Sequence, residues 1–383
     1  MFDALIHFIR EHYHSNDFIP LHAPVFTGRE REYVTETIDS TFVSSVGAFV
    51  DRFESDMASY TGSQRAVATV NGTAALHVSL LLAGVQPGDL VVTQPLTFVA
   101  TCNAIAYCNA EPLFVDVDRH TLGLSPSALE GWLEEHASRD DLGVCRAKSS
   151  GKAIRACVPM HTFGHPVDLD GLMAVCSRWN LVLVEDAAES LGSFYKGRHT
   201  GTFGRLGTLS FNGNKIITTG GGGMILADDE LGVRAKHLTT TAKRPHPYEY
   251  VHDEVGYNYR LPNINAALGC AQLEQLEGFV ALKRQLAARY QELLKDSGLR
   301  FVTEPEGCRS NYWLNAVICD DRAQRDTLLK TTNEQGVMTR PIWALMSQLP
   351  AYAQCCKGDL TNAEWLEARV VNLPSSVLSE SKP

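Results

Sequence analysis

One lysine in this chain stands among residues that could put its amine to chemical use. In Ser210-Phe211-Asn212-Gly213-Asn214-Lys215-Ile216-Ile217-Thr218-Thr219-Gly220-Gly221-Gly222-Gly223 it follows a serine by five residues and precedes a run of four glycines. A serine at that spacing can hold a phosphate. Glycines lack a Cβ and let backbone pass close to a flat or bulky group. Leu209, Phe211, Ile216 and Ile217 would keep the ammonium poorly solvated. Desolvation lowers a lysine's pKa and makes its amine a nucleophile able to condense with an aldehyde. An exposed lysine in a glycine loop fits the same residues, so this stretch alone divides evenly between the two readings.

Other stretches supply groups of different chemistry. Asn71-Gly72-Thr73-Ala74 reads as a turn between a strand and a helix. Backbone N–H groups at a helix start bind phosphate, and Thr73 can add its hydroxyl; an ordinary capped turn is the alternative. The run Leu181 to Asp186 is an apolar strand ending in two acids, Glu185 and Asp186. Asp186 could hydrogen-bond a protonated ring nitrogen and keep it charged; a capping or metal-binding aspartate is the alternative. Phe98 opens a helix after a strand, where it could stack on a flat ring or simply fill the core. His161 and His165 are four apart, but Gly164 and Pro166 argue for a loop. A metal pair is therefore rejected and no metal site is expected, while His161 is kept as a group lining the crevice. Gly256-Tyr257-Asn258-Tyr259-Arg260 sets polar groups among aromatics before a long helix; a loop packing on the core is the alternative.

The elements that must position these groups follow from periodicity. Helices are expected at 2–14, from an N-cap at Thr27 with Glu30 in the capping-box position to about Ser40, and at 48–61. Strands are expected at 66–70, 90–93, 112–117, 153–159, 181–185, 208–211 and 223–227, with helices at 74–83, 98–108, 125–136 and 169–179. This alternation predicts an α/β fold with one mostly parallel seven-stranded sheet covered on both faces, and a ligand crevice at the carboxyl ends of its strands. The polar segment 139–153 reads as an insertion. Helices over 263–296, strands at 300–303, 313–319 and 337–340, and a helix at 323–335 predict a smaller α+β unit. The expected division is a large domain over 1–250, N-terminal helices included, and a small one over 251–383. The net charge of -10 over 383 residues argues against nucleic acid or an anionic membrane as partner. Ten scattered cysteines without a C-x-x-C point to a reduced, cytoplasmic protein. No signal peptide is read at the N-terminus, and no run approaches the ~20 apolar residues that cross a bilayer.

In chain order these stretches supply the parts of a pyridoxal-phosphate site: phosphate turn, stacking aromatic, strand-end aspartate, serine, lysine, glycines. The chain resembles the DegT/DnrJ/EryC1/StrS family of sugar aminotransferases, of the aspartate-aminotransferase-like fold (pyridoxal-phosphate fold type I). The resemblance is carried by Asn71 to Leu76, Thr97 to Thr101, Glu185 to Ser190, Ser210 to Met224, Gly256 to Arg260, and Arg340-Pro341-Ile342-Trp343. It implies that Lys215 binds the aldehyde of the cofactor and shuttles a proton, and that Asp186 holds the ring nitrogen. It implies that Phe98 stacks on the ring, and that Gly72, Thr73, the amide of Ala74 and Ser210 hold the phosphate. Glu189 takes a position where the family often has glutamine, beside the cofactor's phenolic oxygen or the substrate. Asn258 would reach the cofactor phosphate of a neighbouring subunit, so a homodimer would share its active sites. His161, Tyr257, Arg260 and Arg340 are expected on the substrate side. One departure is the glycine run, where many members carry an acid.

A narrower resemblance rests on 18–24, 39–47 and 210–215. It is to enzymes that aminate C4 of a nucleotide-linked 4-keto-6-deoxy-N-acetylhexosamine, as in legionaminic acid or bacillosamine routes to cell-surface polysaccharide. It implies L-glutamate as donor, a UDP-linked keto sugar as acceptor and ping-pong kinetics. Amination at C3 or dehydration of another keto sugar is the alternative, and a lysine rather than a histidine at 215 favours transamination. A non-catalytic regulator that binds the same cofactor is the alternative from another class.

Overall fold

A computed structural model describes residues 2–378. Short apolar runs build the expected seven-stranded sheet. Its strands are β1 (Arg65–Thr69), β2 (Leu90–Thr93), β3 (Glu111–Phe114), β4 (Ile154–Val158), β5 (Val182–Asp186), β6 (Leu206–Ser210) and β7 (Gly223–Ala227). They lie in the order β1-β7-β6-β5-β4-β2-β3. Only β7 runs against its neighbours, and the remaining pairs are parallel.

Alternate residues of one strand point to opposite faces, and here they enter different cores. Val91, Ala156, Val158 and Val184 pack with Ala75, Leu80, Ile105 and Leu231. Those partners come from α4 (Gly72–Leu82), α5 (Val99–Tyr107) and α8 (Asp229–Thr239). Val92, Cys157 and Leu183 pack on the other face with Leu129, Leu133, Leu172 and Val175, from α6 (Pro126–His136) and α7 (Leu169–Trp179). Local chemistry marks the helix starts. Asn71 caps α4 by accepting the Ala74 N–H at 2.8 Å, and Ser125 caps α6 with Pro126 in its first turn.

The first helices differ in part from expectation. α1 (Asp3–Tyr13) and α3 (Ala48–Thr61) lie where periodicity puts them. α2 (Glu30–Asp39) starts two residues late, with Arg29 rather than Thr27 at its N-cap. The capping-box residues serve tertiary bonds instead. Thr27 Oγ1 donates to Gln275 Oε1 at 2.8 Å, and buried Glu30 accepts from Gln272 and Gln275. Strand β3 ends at Phe114, and the polar insertion contains a hairpin pairing 137–139 with 145–147.

The chain after α9 (Asn263–Leu273) and α10 (Leu276–Leu294) forms a second, antiparallel sheet. It comprises β8 (Arg300–Phe301), β9 (Asn315–Ile318), β10 (Arg340–Pro341) and β11 (Val370–Leu373), in the order β8-β9-β11-β10. Its core joins Leu286 and Tyr290 of α10 and Val371 of β11 to Leu5, Ile6 and Ile9 of α1. A division of the chain at residue 250 thus separates residues that share a core. Among the described residues, no helix is long and apolar enough to cross a membrane.

The antiparallel β7 brings the glycine run to the end of the sheet where β1, β5 and β6 finish. There the backbones come very close. A Cβ on Gly223 would stand 2.5 Å from the carbonyl of Asn71 and 2.6 Å from the nitrogen of Gly72, whereas on Gly221 it would meet nothing nearer than Val70 O at 4.0 Å. Gly223→Ala is expected to cost about 1–3 kcal/mol through overpacking against immovable backbone, and Gly221→Ala less than about 0.5 kcal/mol. Urea unfolding of both variants checks this; equal losses would mean that the run serves flexibility rather than close approach.

Candidate active site

The carboxyl ends of the strands enclose a cavity of about 400 Å³. β1 and α4 contribute Asn71, Gly72 and Thr73; the β2–α5 turn contributes Phe98; β5 contributes Asp186 and the residues after it Glu189. β6 and the loop beyond it supply Ser210 and Lys215, and the second unit closes the space with Trp313 and Trp343. Seven residues singled out in the sequence, Gly72, Thr73, Phe98, Asp186, Glu189, Ser210 and Lys215, therefore line one space.

Strand alternation gives the two acids at the end of β5 separate duties. Asp186 lines the cavity. Its Oδ2 accepts from the Thr101 hydroxyl at 2.7 Å and its Oδ1 from the Ala188 N–H at 3.2 Å. Burial raises its pKa above the ordinary aspartate value, against the pull of Thr101, Ala188 and the charge of Lys215. Glu185 accepts from the backbone N–H groups of Gly201, Phe203 and Gly204 and lies 3.1 Å from His161 Nε2. Burial alone would raise it, but His161 and these N–H groups bring it below the usual glutamate range. Glu185 thus ties loops together, while Asp186 faces the ligand space.

The amine of Lys215 lies 3.3 Å from Glu189 Oε1 and 4.0 Å from the centre of the Trp313 ring. This corrects the expected apolar pocket. Leu209, Phe211, Ile216 and Ile217 are buried in the hydrophobic core, and the ammonium is met by a carboxylate and the face of an indole instead. The other oxygen of Glu189 accepts the Phe163 N–H at 2.9 Å. Phe163 has φ 57°, a left-handed conformation uncommon for a bulky side chain. Burial raises the Glu189 pKa, opposed chiefly by Lys215.

Several expected site residues are placed differently. The Ala74 N–H, expected on a phosphate, is taken by the capping oxygen of Asn71; the N–H groups of Gly72 and Thr73 lie in the first turn, where no helical acceptor exists. His161 does not line the cavity. It is wholly buried, with Nε2 on Glu185 and Nδ1 accepting the Val167 N–H at 3.2 Å, so both ring nitrogens are engaged and its role is structural. Tyr257 stacks on Tyr259 and packs against His77 of α4. Asn258, Arg260 and Arg340 are exposed and lie outside the cavity walls of the single chain. Sequence reasoning missed Trp313, Thr101 and Asn214. Trp313 carried the one available signal, an aromatic between polar residues at the start of a strand, but nothing local links it to a lysine 98 positions earlier.

The residues present fit pyridoxal phosphate. Two unpaired N–H groups at a helix start and the Ser210 hydroxyl suit its phosphate. Phe98, 51 % exposed, offers a ring face. A buried carboxylate with hydroxyl and amide support suits a cationic ring nitrogen, and the Lys215 amine suits an aldehyde.

Comparison with known proteins agrees. The sequence pattern of the DegT/DnrJ/EryC1/StrS aminotransferase family matches residues 25–382. A GDP-perosamine synthase of Escherichia coli O157:H7 is 38% identical over 359 residues, covering 94% of this chain and 93% of that protein. A GDP-perosamine synthase of Caulobacter vibrioides is 37% identical over 363 residues, covering 93% of each. The crystal structure of the aminotransferase TlmJ from Streptoalloteichus hindustanus superposes with a TM-score of 0.83 at 30% identity, covering 95% of each chain. The fold is accordingly the aspartate-aminotransferase-like one.

The raised carboxyl of Asp186 has a consequence for stability. A carboxyl that binds its proton more tightly when folded contributes stability that is complete below the ordinary carboxylate range and is lost as pH rises through its folded value. Cofactor-free Asp186→Asn is therefore expected to melt above the cofactor-free wild type at neutral and alkaline pH. The gap should close as pH falls below the ordinary aspartate range. Thermal melts across pH check this, and a variant that melts lower throughout would contradict it.

Proposed function

The chain belongs to the DegT/DnrJ/EryC1/StrS aminotransferase family, and from that premise we propose that it moves the amino group of L-glutamate to the C4 ketone of a UDP-linked 4-keto-6-deoxy-N-acetylhexosamine. It is a pyridoxal-phosphate-dependent sugar aminotransferase. The observation that carries the reaction type is the Lys215 amine, held beside Glu189 in the cavity that Asp186 also faces. When bound, pyridoxal phosphate supplies a carbonyl that takes up an amine and a ring that draws off electron density. The chain's own groups do the rest. Lys215 would hold that carbonyl through its amine, and its free Nζ would carry a proton. Glu189 Oε1, 3.3 Å away, is within reach to take that proton or return it. Asp186 stays ionised beside a cationic ring nitrogen, because an adjacent positive charge offsets the effect of burial. Gly72, Thr73 and Ser210 would anchor the phosphate, and Trp313 and Trp343 narrow the cavity and limit water.

The stretches 18–24, 39–47 and 210–215 support C4 amination and a UDP carrier. A GDP carrier is the second reading, favoured by the two relatives that are GDP-perosamine synthases. Asn258, exposed on the single chain, is assigned to the cofactor phosphate of a second subunit in a homodimer. Tyr257, Arg260 and Arg340 are assigned to the substrate side of that shared site.

The test is spectroscopic. L-glutamate should bleach the visible band of the lysine-bound cofactor, and UDP-4-keto-6-deoxy-N-acetylglucosamine should restore it. Restoration by the GDP-linked 4-keto-6-deoxyhexose alone would replace the UDP reading. A band that glutamate never bleaches would favour a non-catalytic cofactor binder. Lys215→Ala is expected to lower turnover by more than about a hundredfold, and near-normal turnover would remove Lys215 from its role.

A further inference from the structure

Lys283 of α10 is 1 % exposed, and among the described residues its ammonium is paired with carbonyls rather than a carboxylate. It donates to Trp313 O at 3.1 Å and to Ser375 O at 2.5 Å. Burying a lysine on main-chain carbonyls is costly, and burial pulls its pKa down to about 7. A methionine or leucine would fill the same volume without that cost. The reason for a cation here lies in what the carbonyls are attached to.

Trp313 is bonded at every polar atom. Its main-chain N–H donates to Asn311 Oδ1 at 2.8 Å, and its indole N–H donates to Asn214 O at 2.7 Å. Asn214 precedes Lys215, and the indole face lies under the Lys215 amine. The Asn311 amide in turn donates to the carbonyls of Glu189 and Leu191 at 2.9 and 2.8 Å. The segment 311–313 therefore touches both neighbours of the reactive amine, and its carbonyl end is fastened by Lys283. Ser375, the other anchor, is fixed by donating its N–H to Leu21 O and accepting the Asn315 N–H on its hydroxyl. His22 also faces this place. Its ring nitrogens are enclosed without a partner among the described residues, and burial first, then the charges of Lys283 and Lys215, disfavour its protonation.

We infer that Lys283 is a positioning residue for the reaction: by holding the Trp313 carbonyl it sets the indole, Asn214 and Glu189 around the amine of Lys215. This rests on Lys215 as the reactive lysine, not on which sugar is aminated.

The experiment uses the full-length, cofactor-free protein. Trace acetylation with acetic anhydride across pH, read by peptide mass spectrometry, reports the reactivity of the Lys215 amine directly. The rate of cofactor capture is followed by absorbance. In Lys283→Met, the Lys215 labelling rate at neutral pH and the capture rate are expected to change roughly tenfold, the coupling typical of residues in one hydrogen-bond network. A purely structural role would lower the melting temperature and leave the labelling profile in place, and that result would overturn the inference. Should Lys283→Met fail to fold, Trp313→Phe carries the test, since it keeps a ring but cuts the bond to Asn214. An unchanged Lys215 profile in that variant overturns the inference too. A shifted profile in a protein that aminates none of the keto sugars would leave the positioning role standing and reject only the assigned sugar.

Discussion

The amine of Lys215 shares its cavity with two buried carboxylates, and one protein cation cannot satisfy both. Glu189 is within ion-pair distance of it, whereas Asp186 relies on a hydroxyl and an amide. Taking a charge out of water is expensive unless its partners are well placed. Burial accordingly pushes both acids toward holding their protons. The unpaired acid is the one that faces the position suited to a cationic ring nitrogen. A ligand group that brings its own positive charge would therefore suit the place beside Asp186.

The sheet supplies this arrangement through its geometry. Parallel strands end together, so β1, β5 and β6 deliver Asn71, Asp186 and Ser210 to one rim. The reversed β7 delivers its first residues, the glycines, to the same rim. Period-two alternation in β5 divides adjacent acids between two tasks. Glu185 gathers the 201–204 loop and His161 behind the sheet end, and Asp186 is left for the ligand. Close backbone approach at Gly223 draws the start of α4 against β7, which fixes where the helix presents its N–H groups.

Much of this was legible in the sequence because its cues are local. The strand–turn–helix alternation, the turn at Asn71 to Thr73, and the glycine run each depend on residues within a few positions of one another. Asp186 and Lys215 were legible because a strand end and a glycine loop place them predictably. What failed depends on distant partners. Thr27 and Glu30 form a sound capping box in isolation, yet Gln272 and Gln275 of the α9–α10 region compete for them and win. His161 offers two polar nitrogens to any crevice, and only the fold shows that Glu185 and Val167 have claimed both. The partners of the Lys215 amine could not be read from its apolar neighbours, since Glu189 lies 26 residues before it and Trp313 belongs to the second unit. Strand β11 was missed because Val370–Leu373 is four residues long and has no turn signal before it.

The second core has a consequence for how the protein is made. α1 leaves the ribosome well before α10 and β11, against which its apolar face packs and whose residues come some 270 to 370 positions later. At about 5–20 residues per second, that face waits many seconds for its partners. The seven-stranded sheet is complete at Ala227 and can form well before then. Trp313, Trp343 and the Ser375 anchor arrive later still. A nascent chain can therefore hold a finished sheet, with Asp186 and Ser210 on its rim, while the amine of Lys215 still lacks the indole beneath it. Productive capture of the cofactor is thereby tied to the synthesis of the second unit.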